Sequence, residues 1–270
     1  MYKKKIINIA IVGLGNIGVY LYKYLQLNRK QLFKKTNVMP NIMYVSAKNK
    51  TKKRSIIIKK KKWLNSYLDA TKNKNVDLII ELIGGSEGAA KRLVFEALKN
   101  GKHVVTANKA LISKYGDKLA KIAEDNKVNL EFEAAVCGGV PIIRSIKESL
   151  IANNIKSVHG IFNGTTNYIL SSMDKNNLKF DNALKNAQKL GYAESNPTSD
   201  INGDDVSSKL KILTALSFNS YINNKIINVE GINYVDDIDI NNANKLGYKI
   251  KLLAISELIN NKIIQRVHPC

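Results

Sequence analysis

The chain has 270 residues, and 43 Lys or Arg against 22 Asp or Glu give it a net charge of +21. No apolar run approaches the ~20 residues of a membrane helix, so the sequence offers no membrane span. Cys137 and Cys270 have neither CxxC nor metal spacing, and His103, His159 and His268 are scattered. This excludes a zinc site and a disulfide framework and points to a reducing, cytoplasmic compartment.

The charge is placed unevenly. Residues 1–68 hold seventeen Lys or Arg and no acid; Asp69 is the first, and the other 26 bases and 22 acids leave only +4 for the rest. A nucleic-acid surface is one reading of such a segment. Against it, aromatics do not interleave with the bases and no nucleic-acid motif accompanies them. The whole chain is rich in Lys, Asn and Ile, so solvated lysines under a compositional drift are the favoured reading, and nucleic acid is not an expected partner.

Residues 6–12 are a short apolar run of strand type. They lead into Gly13-Leu14-Gly15-Asn16-Ile17-Gly18, the pattern G-x-G-x-x-G, and 19–27 follows with helical amphipathicity. Strand, glycine turn and helix are the context that a dinucleotide-binding fingerprint needs. Gly13 permits the tight turn. Gly15 lets backbone N–H groups approach a pyrophosphate, with Asn16 and Ile17 at the helix start. Gly18 allows close helix–strand packing. Lys3, Lys4 and Lys5 ahead of an apolar run also resemble a secretory signal, but Asn8 interrupts the run and no small-residue cleavage site follows.

The second strand is expected at 41–46. It is followed by Ala47-Lys48-Asn49-Lys50-Thr51-Lys52-Lys53-Arg54, with no carboxylate. In a dinucleotide fold an acid at this place holds the ribose 2′-OH of NAD; Lys48 and Lys50 suit a 2′-phosphate instead and favour NADP over NAD. A third strand at 76–83 ends at Gly84-Gly85, where a ligand can approach the backbone closely. Then come a helix at 89–100, a strand at 103–106 leading to Lys109, a helix at 112–126, and a strand at 129–133. This βαβα alternation implies an α/β unit, 1–139, with a doubly wound parallel sheet of Rossmann type. Ligands bind beyond the carboxyl ends of such strands, where Gly84, Lys109 and Glu133 all fall.

From Pro141 the pattern changes. A helix opened by proline is expected at 141–150, a strand at 155–162, a polar turn at 163–167, and helices at 167–173, 181–190 and 205–216. Strands at 249–259 and 262–267 flank Asn260-Asn261 as a hairpin. These elements imply a second, α+β catalytic domain, 140–270. Its most informative stretch is 190–209, which gathers Glu194, Asp200, Asp204, Asp205 and Lys209 around two glycines and a proline. Asp205 and Lys209 are four apart at the start of a helical pattern and so share a face. A carboxylate beside an ammonium, reached through an acidic loop, suits binding an amino acid and moving a proton. An acidic helix start with an ordinary ion pair is the plainer alternative.

Together these segments resemble homoserine dehydrogenases. The resemblance covers essentially the whole chain. It rests on the loop 13–18, on ELIGG at 81–85, TANKALI at 106–112, FEAAVCGGVPIIRSI at 132–146 and GIFNGTTNYIL at 160–170, and on an unbroken signature, Ala187-x-x-x-Gly191-Tyr-Ala-Glu-Ser-Asn-Pro197-x-x-Asp200-Ile-x-Gly203-x-Asp205-x-x-x-Lys209. It implies reversible reduction of L-aspartate 4-semialdehyde to L-homoserine by NADPH or NADH, in the threonine, methionine and isoleucine branch of aspartate-family biosynthesis. Lys209 is then the proton donor, and Lys109 a contact near the nicotinamide that shares in proton transfer. Glu194, Asp200 and Asp205 bind the small-molecule substrate. Glu133 with the carbonyls of Val136, Gly138 and Val140 forms a monovalent-cation site for Na⁺ or K⁺; a glycine hinge is the alternative reading of that loop. The resemblance implies a homodimer where the fold is complete. It also implies a short chain, which starts at the fingerprint without a kinase domain and stops at Cys270, inside the second domain. Asn49 stands where relatives commonly carry an acid. Two alternatives stay open: another NAD(P)-dependent dehydrogenase of an amino-acid aldehyde or keto acid, and a basic nucleotide- or nucleic-acid-binding module without turnover, marked by steep salt dependence.

Overall fold

A computed structural model of the chain describes residues 5–222 and 227–270; Lys3 and Lys4 lie outside the described residues. The chain divides into two compact units, Met1–Gly139 and Val140–Cys270.

The first unit is built on five parallel strands: β1 (Lys5–Val12), β2 (Val38–Ser46), β3 (Leu78–Glu81), β4 (His103–Thr106) and β5 (Leu130–Glu131). Their order is β2-β1-β3-β4-β5. The order reverses between β1 and β3, and the carboxyl ends of strands flanking such a reversal form the ligand crevice of open α/β sheets. In β1, Ile9, Ala10, Ile11 and Val12 are all buried. Neighbouring residues of a strand point to opposite faces, so this run is covered on both, as in a parallel sheet between helices. On one face Ile9 and Ile11 pack with Ile42, Val45, Ile80 and Tyr22 of helix α1 (Asn16–Leu27). Two short helices, α2 (Arg29–Thr36) and α3 (Asp69–Lys72), carry no side-chain cap and gave no sequence signal. Helices α4 (Ala89–Lys99) and α5 (Lys109–Asp125) pack on each other and bury Leu93, Leu98, Leu111, Ile112 and Leu119. Each such side chain contributes about 1.5–3 kcal/mol by leaving water.

Strand β2 begins at Val38 rather than 41 and β3 spans Leu78–Glu81 rather than 76–83; two further differences bear on the site. Helix α5 starts at Lys109 rather than 112, because the Asn108 side chain caps it, accepting from the Leu111 N–H at 3.1 Å. The strand expected at 129–133 stops at Glu131, and Glu133 opens a 3₁₀ turn, Glu133–Ala135.

The second unit carries a mixed sheet. Helix α6 (Ile142–Arg144) runs into a π turn at Ser145–Ser149, where one regular helix was expected. Then follow β6 (Ser157–Gly160), α7 (Gly164–Asn176), α8 (Phe180–Lys189), α9 (Thr198–Ile201), α10 (Asp204–Ser217), β7 (Asn228–Val229), α11 (Asp237–Lys245), β8 (Leu252–Ile259) and β9 (Lys262–Pro269). The sheet order is β6-β8-β9-β7; β8 is antiparallel to both neighbours, and β7 runs parallel to β9. The expected hairpin turns at Asn260 and Asn261, with φ of 48° and 61°, the left-handed pair that matches strand twist. Ile169, Leu170 and Met173 of α7, Ala183 and Ala187 of α8, and Val206 and Leu210 of α10 form one core with Leu252, Ala254 and Val267 of the sheet. Residues 163–167 are a helix start rather than a free turn. Asn163 caps α7, its side-chain oxygen accepting from the Thr166 N–H at 2.8 Å. Helix α11 opens with a reciprocal capping box between Asp236 and Asp239, an Asp-x-x-Asp signal the sequence reading passed over.

Candidate functional site

In the first unit the glycine turn is shaped by three different constraints. Gly13 has φ +108°, and a Cβ there would collide with the Leu82 carbonyl; its N–H donates to the Ser46 carbonyl at 2.9 Å. A Cβ on Gly18 would meet the Gly13 carbonyl. Gly15 meets nothing within 4 Å, and Gly15, Asn16 and Ile17 are exposed. Space beside Gly15 and backbone N–H groups at the start of α1, with no side-chain cap and no acid in the first turn, fit an anion.

Lys48 and Lys50 are exposed in the loop after β2. Asn49 does not act as an acid would. Its side-chain oxygen accepts from the Thr51 N–H, the Thr51 hydroxyl and the Lys52 N–H at 2.9–3.0 Å, so it folds the loop on itself. Arg54 ties that loop to the glycine turn: its guanidinium donates to the carbonyls of Asn49 (2.7 Å), Lys52 (2.8 Å) and Leu14 (3.1 Å) and lies over the Trp63 ring. The sequence reading counted Arg54 among the loop's cations only. A planar fork with five donors suits this clamp, and a lysine would not replace it.

Gly84 follows β3 with φ +84° and open space around it. It is held by Glu81, whose carboxylate is fully buried and accepts from the N–H groups of Ile83 (2.6 Å) and Gly84 (3.0 Å) and from the Thr106 hydroxyl (2.5 Å). Lys109, half-buried, is the first residue of α5. Glu133 is half-buried. Beyond it Cys137 has φ 49° and Gly139 φ 93°, and the Val140 carbonyl accepts from the Ile142 N–H at 2.8 Å.

In the second unit the structure joins three of the four expected residues. Lys209 Nζ donates to Asp205 Oδ2 at 2.6 Å and to the Phe162 carbonyl at 2.6 Å. Asn163 Nδ2 donates to the same Asp205 oxygen at 2.9 Å and to Asp200 Oδ1 at 2.7 Å. Asn163 and Asp205 are buried, while Lys209 and Asp200 keep partial exposure. Two acids that would repel thus share one neutral amide, and Asn163, which was read only as part of a polar turn, proves central. Its only local signal is that of a helix cap: the Asn163 side-chain oxygen holds the Thr166 N–H, which leaves its NH₂ for partners distant in sequence. Two carboxylates, one ammonium and one amide thus meet within hydrogen-bonding distance. Gly203 (φ +85°) fits before α10 because a Cβ would press on Val229, at 2.9 Å. Glu194 is exposed, on a segment pinned by the Thr165 hydroxyl to the Tyr192 carbonyl (2.7 Å) and by the stacked rings of Tyr168 and Tyr192. Among the described residues no hydrogen bond joins its carboxylate to the Asp200–Asn163–Asp205–Lys209 cluster.

Known proteins resemble this chain along both units. Two family models match, one described as homoserine dehydrogenase, NAD binding domain, over residues 13–133, and one as homoserine dehydrogenase, over residues 141–270. The chain belongs to the homoserine dehydrogenase family. It is 41% identical to the homoserine dehydrogenase of Neisseria gonorrhoeae, over 98% of this chain and 60% of that protein. The solved homoserine dehydrogenase of Thiobacillus denitrificans is 39% identical, with a TM-score of 0.91, over 98% of this chain and 61% of that one. A hyperthermophilic archaeal homoserine dehydrogenase solved in complex with NADPH is 26% identical, with a TM-score of 0.81, over 98% of this chain and 82% of that one. The chain spans about 60% of the length of the curated homoserine dehydrogenases it matches. Its first unit is the family's NAD-binding domain, and the parallel sheet, glycine turn and switch point described above fit a nicotinamide cofactor. No helix among the described residues is long and apolar enough to cross a membrane.

Proposed function

We propose that the protein interconverts L-aspartate 4-semialdehyde and L-homoserine with NADPH as the preferred cofactor, as a step of amino-acid biosynthesis in the threonine, methionine and isoleucine branch. The observation that carries this reading is the cluster Asp200–Asn163–Asp205–Lys209. Its two carboxylates suit the ammonium group of an amino-acid substrate, and its lysine ammonium can give a proton to an oxygen that gains negative charge. Asp200 and Asp205 face that ammonium, with Glu194 as a third carboxylate on the exposed segment. Lys209 Nζ is steadied by two acceptors and protonates the alkoxide that forms as the aldehyde is reduced. Lys109 is the second candidate for that proton.

The cofactor supplies the hydride when bound. Gly13, Gly15, Asn16, Ile17 and Gly18 would hold its pyrophosphate, Gly84 and Lys109 its nicotinamide side, and Lys48 and Lys50 a 2′-phosphate. The archaeal relative solved in complex with NADPH supports a nicotinamide cofactor; the preference rests on Lys48 and Lys50. Glu133 with the carbonyls of Val136, Gly138 and Val140 would bind Na⁺ or K⁺; one carboxylate among neutral oxygens suits a hard monovalent ion. A homodimer in the cytoplasm, where the reduced cofactor is made, completes the reading.

The test is homoserine-dependent reduction of NADP⁺ and NAD⁺ by the purified protein, with a panel of other amino-acid aldehydes in the reverse direction. Turnover confined to homoserine and its aldehyde supports the proposal. Faster turnover of another aldehyde, or none with homoserine, rejects it.

A further inference from the structure

Glu81 is fully buried, and burying a carboxylate costs several kcal/mol unless good partners compensate it. Its partners form a ring across two consecutive strand ends. One carboxylate oxygen accepts from the N–H groups of Ile83 and Gly84, and the other from the Thr106 hydroxyl. The Thr106 oxygen in turn accepts from the Asn108 N–H at 3.0 Å. Asn108 Nδ2 then donates back to the Gly85 carbonyl at 2.7 Å, and Asn108 Oδ1 caps α5, whose first residue is Lys109. The glycine turn leans on the same loop, since the face of Gly13 that lacks a Cβ lies against the Leu82 carbonyl. Thus the β3 loop and the start of α5 are fixed to one another by a side chain that has no exposed surface of its own.

We propose that Glu81 is a positioning residue, which acts through Thr106 and Asn108 to set the place of Lys109 relative to the Gly84–Gly85 loop. This rests on the reading of Gly84 and Lys109 as cofactor contacts. Three donors converge on two oxygens, which suits an acceptor-only group; glutamine at position 81 would turn an NH₂ toward the Thr106 hydroxyl and force that hydroxyl to accept rather than donate. A role confined to stability would need no such link to the α5 cap.

Thr106→Val cuts the link and keeps the volume, while Thr106→Ser keeps the hydroxyl. In Thr106→Val, amide hydrogen exchange should quicken at 83–85 and 109–112 while β1 and α4 stay protected. The turnover kcat should fall between ~10- and ~10²-fold, the range a small misplacement of a reacting group produces, and Thr106→Ser should restore both. The decisive reading is a cycle with Lys109→Ala. If the ring acts through Lys109, the double variant is no slower than Lys109→Ala alone; fully additive losses overturn the proposal and leave a structural role. Unchanged exchange at both loops overturns it too. Glu81→Gln should move both readouts in the same direction. The exchange arm needs no turnover, so it still decides what the ring orders if the parent protein proves inactive, an outcome that counts against the proposed activity instead.

Discussion

The turn after β1 and the segment around α9 and α10 use side chains in opposite ways. At Gly13, Gly15 and Gly18 side chains are absent, and the backbone itself faces either a close neighbour or open space. Around Asp205 four polar side chains crowd together, two of them buried, and the backbone serves mainly to aim them. In the first region the danger is adding atoms; in the second it is removing them. The two regions therefore fail differently, and the failures can be told apart.

The largest effect belongs to the crowded region. Lys209→Ala should lower kcat by ~10² or more, the usual range for a lost general acid, with NADPH binding followed by fluorescence left intact. Lys209→Arg keeps a charge at the place but gives up no proton near neutral pH. Near-parental turnover in that variant means Lys209 only positions charge, and the proton comes from Lys109 or a bound water.

The glycine turn should split. A Cβ on Gly18 meets the Gly13 carbonyl, whereas one on Gly15 meets nothing. Gly18→Ala should therefore lose folding stability, ~1–3 kcal/mol for overpacking, along with cofactor binding. Gly15→Ala should keep its Tm, since a Cβ there meets nothing within 4 Å, and on the proposed cofactor reading should still raise KM for NADPH about tenfold. Equal losses of Tm in both variants would show that the two glycines serve packing alone.

This contrast also explains what was legible in the sequence. The fingerprint could be read because glycines at fixed spacing, between a strand and a helix, constrain a local turn whatever the rest of the chain does. The five strands of the sheet and the pair Asp205–Lys209 were readable for the same reason, as local periodicity. Asn163 was not, because its meaning lies in partners 37 and 42 residues away. Glu81 read as the last polar residue of an apolar strand, and only the register of β3 beside β4 brings Thr106 to it. Arg54 was lost in a run of like charges. Helix α11 was missed although its capping box is local, since Asp and Asn crowd the whole segment and blur the signal.

The loop after β2 offers a milder test of the backbone-made region. Lys48→Ala with Lys50→Ala should raise KM for NADPH about tenfold, the worth of a lost hydrogen bond to a charged group, and should change KM for NADH much less. Equal changes for both cofactors remove the 2′-phosphate from these lysines.

The smallest effect lies outside both regions, on an exposed polar cluster that shares the β3 loop with Gly84. The Glu87 carboxylate accepts from Lys114 Nζ at 2.8 Å, from the Tyr115 hydroxyl, and from Lys91 Nζ at 3.0 Å. The hydrogen bond from Lys114, then those from Tyr115 and Lys91, hold its pKa at about 2 against an ordinary 4.5. A carboxyl depressed in the folded state stabilises the fold above its unfolded pKa, and that contribution disappears as pH falls through the folded value. The Tm difference between the parent and Glu87→Gln should accordingly be flat above the usual carboxylate range and shrink toward zero as pH falls to about 2. It should also shrink with added salt, since more than half of the Glu87 side chain is exposed. A difference that instead widens in acid would mean that Glu87 is held neutral. It would also mean that this loop, like the cluster at Asp205, depends on buried polar contacts rather than on solvated charge.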